Sequence, residues 1–234
     1  MFVNYAHRGA SEYYPENTFS SFYAGIDMRA NGIETDVQRT KDGVLVLYHD
    51  DTLEAKTGAK GAIKDYTCEE LMAFRVRNEK YGREDGIVIF EDFLRYIGRY
   101  DLTFAIELKV RGIAKDVIEL AEKYGVKEKM IITSFIYEEL MDAQKLGSGI
   151  RIGYLYPDNP PDIIEKLRAI GAYQACPKAI DVTKEDVDAL KKAGFEVRTW
   201  GIFDTDIMQM ALEKGFDGGM TVNFPDKLRD AIGK

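Results

Sequence analysis

The histidines of this chain number two, His7 and His49. Each closes a predicted strand at its C-terminal end. Imidazole is the side chain that titrates near neutral pH, so two rings at equivalent strand ends read as groups that move protons. Glu34 and Asp36 stand two residues apart. In a strand, both project to one face while Thr35 and Val37 take the other. Glu107 and Lys109 repeat that spacing beside apolar Phe104, Ile106 and Leu108. Charges on one face of such strands are costly if buried without partners. Either pair alone reads as a salt-bridge lattice, but together they bring three carboxylates and an ammonium to one place. An all-oxygen set selects one hard divalent cation, Mg2+ or Ca2+, over zinc, which prefers imidazole or thiolate. With that cation, Arg8 and Lys109, the three acids leave one net positive charge, which a phosphodiester monoanion neutralises. Arg8, next to His7, supplies a planar fork that suits phosphate oxygens.

The elements that must position these residues alternate. Short runs rich in β-branched and aromatic residues (Phe2–His7, Gly32–Gln38, Val44–His49, Thr103–Val110, Met130–Phe135, Arg151–Tyr156, Tyr173–Pro177, Glu196–Ile202, Phe216–Val222) predict strands. Amphipathic segments such as Ile113–Tyr124, Tyr137–Leu146, Pro161–Ile170, Lys184–Ala193 and Thr205–Glu213 separate most of them. Glu16–Ala30 reads as a first helix behind Pro15. Asp42-Gly43 marks a hairpin before Val44–His49. About eight strand–helix units, each of about 25–30 residues, suit a closed α/β barrel better than an open doubly wound sheet. No Gly-x-Gly-x-x-Gly turn follows the first strand. Asp51–Phe90 breaks the rhythm and reads as an insertion at one end of the barrel, with a helical piece over Thr67–Phe74 entered through a Thr67/Glu70 capping box. The expectation is one barrel domain over 1–234.

Composition agrees. Of 234 residues, 45% are hydrophobic and 12% aromatic, as in a folded protein, and the net charge of −8 argues against nucleic acid as a partner. An anionic ligand must therefore meet a local positive site. Cys68 and Cys176 lie far apart in no metal spacing, so two free thiols are expected, with a single disulfide as the alternative. No signal peptide and no run of about 20 apolar residues is recognisable, which gives a cytoplasmic expectation without stable membrane insertion.

The ordered set His7-Arg8-Gly9, Pro15-Glu16-Asn17-Thr18, Glu34-x-Asp36, His49-Asp50, Glu107-Leu108-Lys109 and Trp200, running on to Phe224-Pro225-Asp226, resembles the glycerophosphodiester phosphodiesterases. The resemblance spans nearly the whole chain. It implies a TIM (β/α)8 barrel with a small insertion after the second strand. It implies a divalent metal on Glu34, Asp36 and Glu107, with His7 and His49 as acid and base. Arg8 and Lys109 would hold the phosphate, Trp200 would pack on the glycerol, and Glu16 and Asn17 would brace the first loop. Such enzymes cleave glycerophosphocholine or glycerophosphoethanolamine to glycerol 3-phosphate and an alcohol. Departures fall on the rim: Glu54-Ala55-Lys56-Thr57 replaces an Arg-Thr-Thr-like run, and Ile89-Phe90-Glu91-Asp92 replaces Pro-Thr-Leu-Glu. Thr199-Trp200-Gly201-Ile202-Phe203 and Thr221-Val222-Asn223, the latter where many members have Thr-Asp, depart as well. They bear on the preferred alcohol.

By analogy with barrel phospholipases, His7 is assigned as base and His49 as acid, with the glycerol 2-hydroxyl as nucleophile and a cyclic phosphate that water opens. A related barrel phosphodiesterase such as a lysophospholipase D is the alternative, for which Tyr13, Tyr14, Tyr156 and Phe203 would form an apolar rim. A barrel that binds phosphate esters without catalysis is the alternative of another class, marked by loss of a histidine or metal carboxylate.

Overall fold

The computed structural model describes residues 2–233. Eight parallel strands succeed one another around a closed barrel: β1 (Asn4–His7), β2 (Gly32–Arg39), β3 (Thr103–Leu108), β4 (Met130–Ser134), β5 (Arg151–Tyr156), β6 (Gln174–Pro177), β7 (Glu196–Ile202) and β8 (Gly219–Val222). β1 pairs with β8 on one side and β2 on the other, which closes the ring. Helices α1 (Phe19–Asp27), α2 (Phe90–Tyr96), α3 (Ala114–Lys123), α4 (Tyr137–Lys145), α5 (Ile163–Ala169), α6 (Lys184–Lys192), α7 (Thr205–Lys214) and α8 (Pro225–Ile232) form the outer layer. This is the expected TIM barrel. Strand alternation explains it: Ile33, Val37, Phe104, Ile106, Leu108 and Ile132 are wholly buried against the helices, each contributing roughly 1.5–3 kcal/mol of burial. The opposite parity, including Glu34, Asp36 and Glu107, is left for the barrel interior.

Between β2 and α2 the chain makes a long excursion. β2 overshoots the rim, turns at Gly43 (φ 89°) and returns as Leu45–Leu47, antiparallel to Val37–Arg39. Two one-turn helices, Glu54–Thr57 and Cys68–Leu71, and a hairpin, Arg75–Asn78 with Arg83–Gly86, follow. Val46, Tyr48, Leu53, Ile63, Leu71, Val76 and Ile87 give the excursion its own core. The hairpin clasps the β1–α1 loop: Asn78 Nδ2 donates to the carbonyls of Ser11, Glu12 and Tyr14, and the Arg83 guanidinium lies 4.1 Å over the Tyr14 ring.

Three local expectations are corrected. The first helix begins at Phe19, because Thr18 and Ser21 form a reciprocal cap and Asn17 sits at φ 57°; Glu16 and Asn17 are therefore loop residues. Val44–His49 shrinks to Leu45–Leu47 and is no barrel strand. His49 reaches the barrel on the returning arm of a hairpin, where the Tyr48 amide bonds the Asp36 carbonyl at 3.0 Å. The Thr67/Glu70 box is present, but its helix stops at Leu71. Both thiols are free. Among the described residues no helix is long and apolar enough to cross a membrane.

Candidate active site

Strand register assembles the acids. His7 lies opposite Glu34 across β1 and β2, and Asp36 lies opposite Glu107 across β2 and β3. His7 and Glu107 stand at the C-terminal ends of β1 and β3, and Glu34 and Asp36 stand level with them where β2 passes the same rim, the end where barrel enzymes carry their chemistry. Carboxylate oxygens of Glu34, Asp36 and Glu107 lie within 4.8 Å of one another, and all three residues are buried.

Their surroundings are set by cations and amides. Arg8 Nε is 3.1 Å from Asp36 Oδ2, and Arg8 Nη1 donates to Glu16 Oε1 at 3.0 Å. Lys56 Nζ donates to the other oxygen of Glu16 at 2.8 Å. Lys109 Nζ donates to Glu107 Oε1 at 2.9 Å and stands 3.9 Å from Asp36 Oδ1. Asn17 Nδ2 donates to Asp36 Oδ2 at 2.9 Å while its own Oδ1 accepts from Thr35 at 2.6 Å. Arg8 holds this position with φ 54° and Gly9 with φ 82°; a Cβ on Gly9 would lie 2.4 Å from Ser21 backbone and hydroxyl. The chain can turn here only with glycine, which accounts for His7-Arg8-Gly9.

Burial, with Asp36 and Glu107 alongside, pushes the Glu34 carboxyl well above the usual carboxylate range. Burial and Asp36 raise Glu107 too. Burial acts on Asp36 in the same sense, but the Arg8 guanidinium, with His49 and Lys109, holds it below its ordinary value. Asp36 Oδ1 is a buried oxygen that accepts no hydrogen bond. Three crowded acids with one oxygen unsatisfied fit a hard divalent cation. In a second cluster, Glu16, His49 and Asp50, Glu16 is already paired with Arg8 and Lys56, and Asp50 with His49.

A stability prediction follows from Glu34. Its folded-state carboxyl holds a proton above the ordinary value of 4.5, so its contribution is whole below 4.5 and is lost as pH rises through the elevated value. In chelator, wild-type protein should therefore lose stability relative to Glu34→Gln between pH 4.5 and 7, and added Mg2+ or Ca2+ should restore it. His7 titrates with the opposite sign in both proteins and drops out of the difference. Urea denaturation across that range checks this, and a flat difference would contradict it.

Both imidazoles are oriented. His7 Nδ1 is 2.5 Å from Asn223 Oδ1, so Nδ1 carries the hydrogen and Nε2 presents its lone pair, 3.7 Å from Glu34 Oε2. Burial, then Arg8, drives the His7 pKa down to about 3. A quarter of its side-chain surface still opens to the cavity, and the ring is neutral at neutral pH. His49 Nδ1 lies 2.8 Å from Asp50 Oδ1.

His7, Arg8, Glu34, His49 and Glu107 line a cavity of about 260 Å3 together with Phe135, Leu155, Trp200, Ile202 and Phe203. Trp200 shares the Arg198 side of β7, as alternation predicts. Its Nε1 donates to the Cys176 carbonyl at 3.0 Å, and its ring meets Phe135 edge-on at 4.9 Å. The expected tyrosine rim is not there. Tyr156 alternates outward into the helix layer, Tyr13 is tied to Asp226 and Tyr14 lies under Arg83. Phe203, 65% exposed, is the one aromatic of that expectation on the cavity. Of the other predicted site residues, His7, Arg8, Glu34, His49, Glu107 and Trp200 line the cavity, with Phe135, Leu155 and Arg198. Asp36, Lys109, Glu16 and Asn17 reach it through their contacts with Arg8 and Glu107 or with one another, and Asp50 and Asn223 through the two imidazoles. Asp50 belongs to the His49-Asp50 motif, and Asn223, a departure expected to bear on the alcohol, instead holds the catalytic-site imidazole of His7; the others carry no local signal.

Comparison with known proteins gives one answer. The model of the glycerophosphoryl diester phosphodiesterase family matches residues 7–227. A glycerophosphodiester phosphodiesterase of Caldanaerobacter subterraneus subsp. tengcongensis is 32% identical, covering 98% of this chain and 97% of its own. One from Bacillus altitudinis is 34% identical over 95% of each. Among solved structures, an Oleispira antarctica phosphodiesterase in complex with the product sn-glycerol-3-phosphate superposes with a TM-score of 0.87 at 25% identity, covering 98% of this chain and 96% of the other. A Thermotoga maritima glycerophosphodiester phosphodiesterase superposes with a TM-score of 0.81, also at 25% identity, covering 99% of both chains.

Proposed function

Because the chain belongs to the glycerophosphoryl diester phosphodiesterase family, we propose that this barrel mouth hydrolyses glycerophosphocholine, glycerophosphoethanolamine and similar diesters to glycerol 3-phosphate and an alcohol. The observation that carries the reading is the buried trio with its unsatisfied Asp36 oxygen, beside two oriented imidazoles that line the same cavity as Glu34 and Glu107.

Glu34, Asp36 and Glu107 would hold one divalent cation, Mg2+ or Ca2+. When bound, that ion supplies positive charge against the charge developing on the phosphoryl oxygens. Arg8, whose Nε and Nη1 edges face Asp36 and Glu16, keeps its Nη2 donors for phosphate, and Lys109 adds a second cation. Glu16 and Asn17 fix Arg8 and Asp36 respectively. His7 Nε2 takes the proton of the glycerol 2-hydroxyl as that oxygen attacks phosphorus in line. His49 gives a proton to the departing alcohol oxygen, and Asp50 steadies the ring and offsets its positive charge. Water then opens the five-membered cyclic phosphate with the two proton transfers reversed.

The test is coupled detection of glycerol 3-phosphate over a panel of glycerophosphodiesters, in EDTA and after Mg2+ or Ca2+ is returned. Release that vanishes in EDTA and returns with a cation supports the reading, and no release from any member overturns it. Exposed Phe203 and Phe135 at the rim favour a second reading, a lysolipid substrate. Faster cleavage of lysophosphatidylcholine than of glycerophosphocholine would establish it.

Trp200 is assigned to the glycerol. An indole is a broad apolar plate with one donor, and here the Cys176 carbonyl occupies that donor, leaving the ring free to cover carbon. Trp200→Ala should raise KM for glycerophosphocholine about tenfold, as loss of one aromatic contact costs on the order of 1.4 kcal/mol. It should raise KM for bis-p-nitrophenyl phosphate, which lacks glycerol, by much less. Equal losses on both with a lowered Tm would assign Trp200 to packing.

A further inference from the structure

Beneath the carboxylates lies a buried charge that the mechanism above does not use. Arg198 is 1% exposed, and its hydrogen-bond partners are all neutral. Nε donates to Gln174 Oε1 at 2.9 Å, Nη1 to Thr221 Oγ1 at 2.7 Å, and Nη2 faces Cys176 Sγ at 3.6 Å. The guanidinium lies 5.1 Å over the Tyr5 ring, one inward position below His7 on β1. Among the described residues no carboxylate lies within ion-pair distance of it. A buried ion without a partner is expensive, so its charge is balanced at longer range. Glu34, on the wall of the same cavity that Arg198 lines, is an acid placed to do so.

We propose that Arg198 is a third cation of this site and fits it to a doubly charged phosphoryl group. Against the three acids, ionised as they would be around a cation, stand Arg8, Lys109 and Arg198. Glu16 is balanced by Lys56, and Asp50 by the His49 ring that the proposed mechanism charges. One divalent cation then leaves two net positive charges. A diester carries one negative charge. The transition state and the phosphomonoester product carry two, so a site of this charge holds them more tightly than the substrate. Arg198 would supply that difference from below, where its donors other than Nε and Nη1 meet no oxygen of the protein. The inference rests on the cation reading of the trio.

A merely structural arginine and a site cation differ in the sign of their effects. In Arg198→Met, the loss of a repelling charge should tighten Mg2+ binding, read by calorimetry, at least about threefold. The same change should weaken glycerol 3-phosphate binding to the Mg2+-loaded protein at least about tenfold. Arg198→Lys keeps the charge and should stay nearer wild type in both. Wild-type protein gives an independent reading: sulfate, a dianion, should compete with substrate at least about tenfold better than monoanionic methanesulfonate.

Arg198→Met weakening both affinities together, or shifting neither, would overturn the proposal. So would Arg198→Lys behaving like Arg198→Met, or equal competition by the two anions, which tests the idea even where a variant does not fold. Wild-type protein that binds no Mg2+ would overturn this inference and the proposed function together. Wild type that binds Mg2+ and glycerol 3-phosphate while Arg198→Met changes neither would overturn this inference alone.

Discussion

Alanine at His7 or at His49 is expected to lower kcat on glycerophosphocholine at least about a hundredfold, the scale of a positioned acid or base. Metal affinity and Tm should change little, since neither ring is placed on the cation. The two variants should part company on a substrate whose leaving group needs no proton. With a glycerophosphodiester of p-nitrophenol, His49→Ala should recover most of its activity and His7→Ala should not. The expectation comes from the partners of the two rings. Asn223, a neutral oxygen, fixes His7 with Nε2 as the acceptor, and burial beside Arg8 keeps that ring unprotonated. Asp50, an anion, stands behind His49 and suits the ring that must carry positive charge. Rescue of His7→Ala instead would exchange the roles. Rescue of neither would remove the division between acid and base.

Glu107→Gln should weaken cation binding at least about tenfold and reduce kcat/KM with it at subsaturating Mg2+, because an amide keeps the shape of the strand end and loses the charge. Asp36→Asn should be more damaging. Asp36 is contacted by Asn17, Arg8 and Lys109 and still carries the unsatisfied oxygen, so an amide nitrogen there either faces the cation or abandons Asn17. High Mg2+ should rescue Glu107→Gln more fully than Asp36→Asn. Calorimetric titration separates the binding loss from any loss in chemistry. Wild-type activity that survives exhaustive chelation would contradict the cation assignment for both residues.

The acids were legible because β2 and β3 are regular. Period-two alternation in Glu34-Thr35-Asp36-Val37 and in Ile106-Glu107-Leu108 fixes which side chains face the barrel interior. Strand pairing then brings Asp36 opposite Glu107, as a barrel of this order requires. His49 was legible as a residue but not in its route: a returning hairpin arm and a barrel strand have the same hydrophobic pattern, and only pairing distinguishes them. Glu16 and Asn17 looked helical behind Pro15, and the Thr18–Ser21 cap that frees them for the site is weaker in sequence than proline. Arg198 was hidden for a different reason. Its neighbours Gln174 and Thr221 come from β6 and β8, more than twenty residues away on either side, and a lone arginine in a strand ordinarily reads as solvent-facing. Phe135 and Leu155 are ordinary apolar residues at strand ends, and only closure of the barrel turns them toward the cavity.

Loaded with one divalent cation, this mouth is expected to release the alcohol from the diester and leave phosphate on glycerol. Phosphorus NMR of glycerophosphocholine incubated with the Mg2+- or Ca2+-loaded protein shows directly which of the two esters is opened. Glycerol 3-phosphate should be the sole stable phosphorus product, absent when EDTA is present and formed at least about a hundredfold more slowly by His7→Ala. Phosphocholine as the product, or turnover unchanged in EDTA, would contradict that expectation.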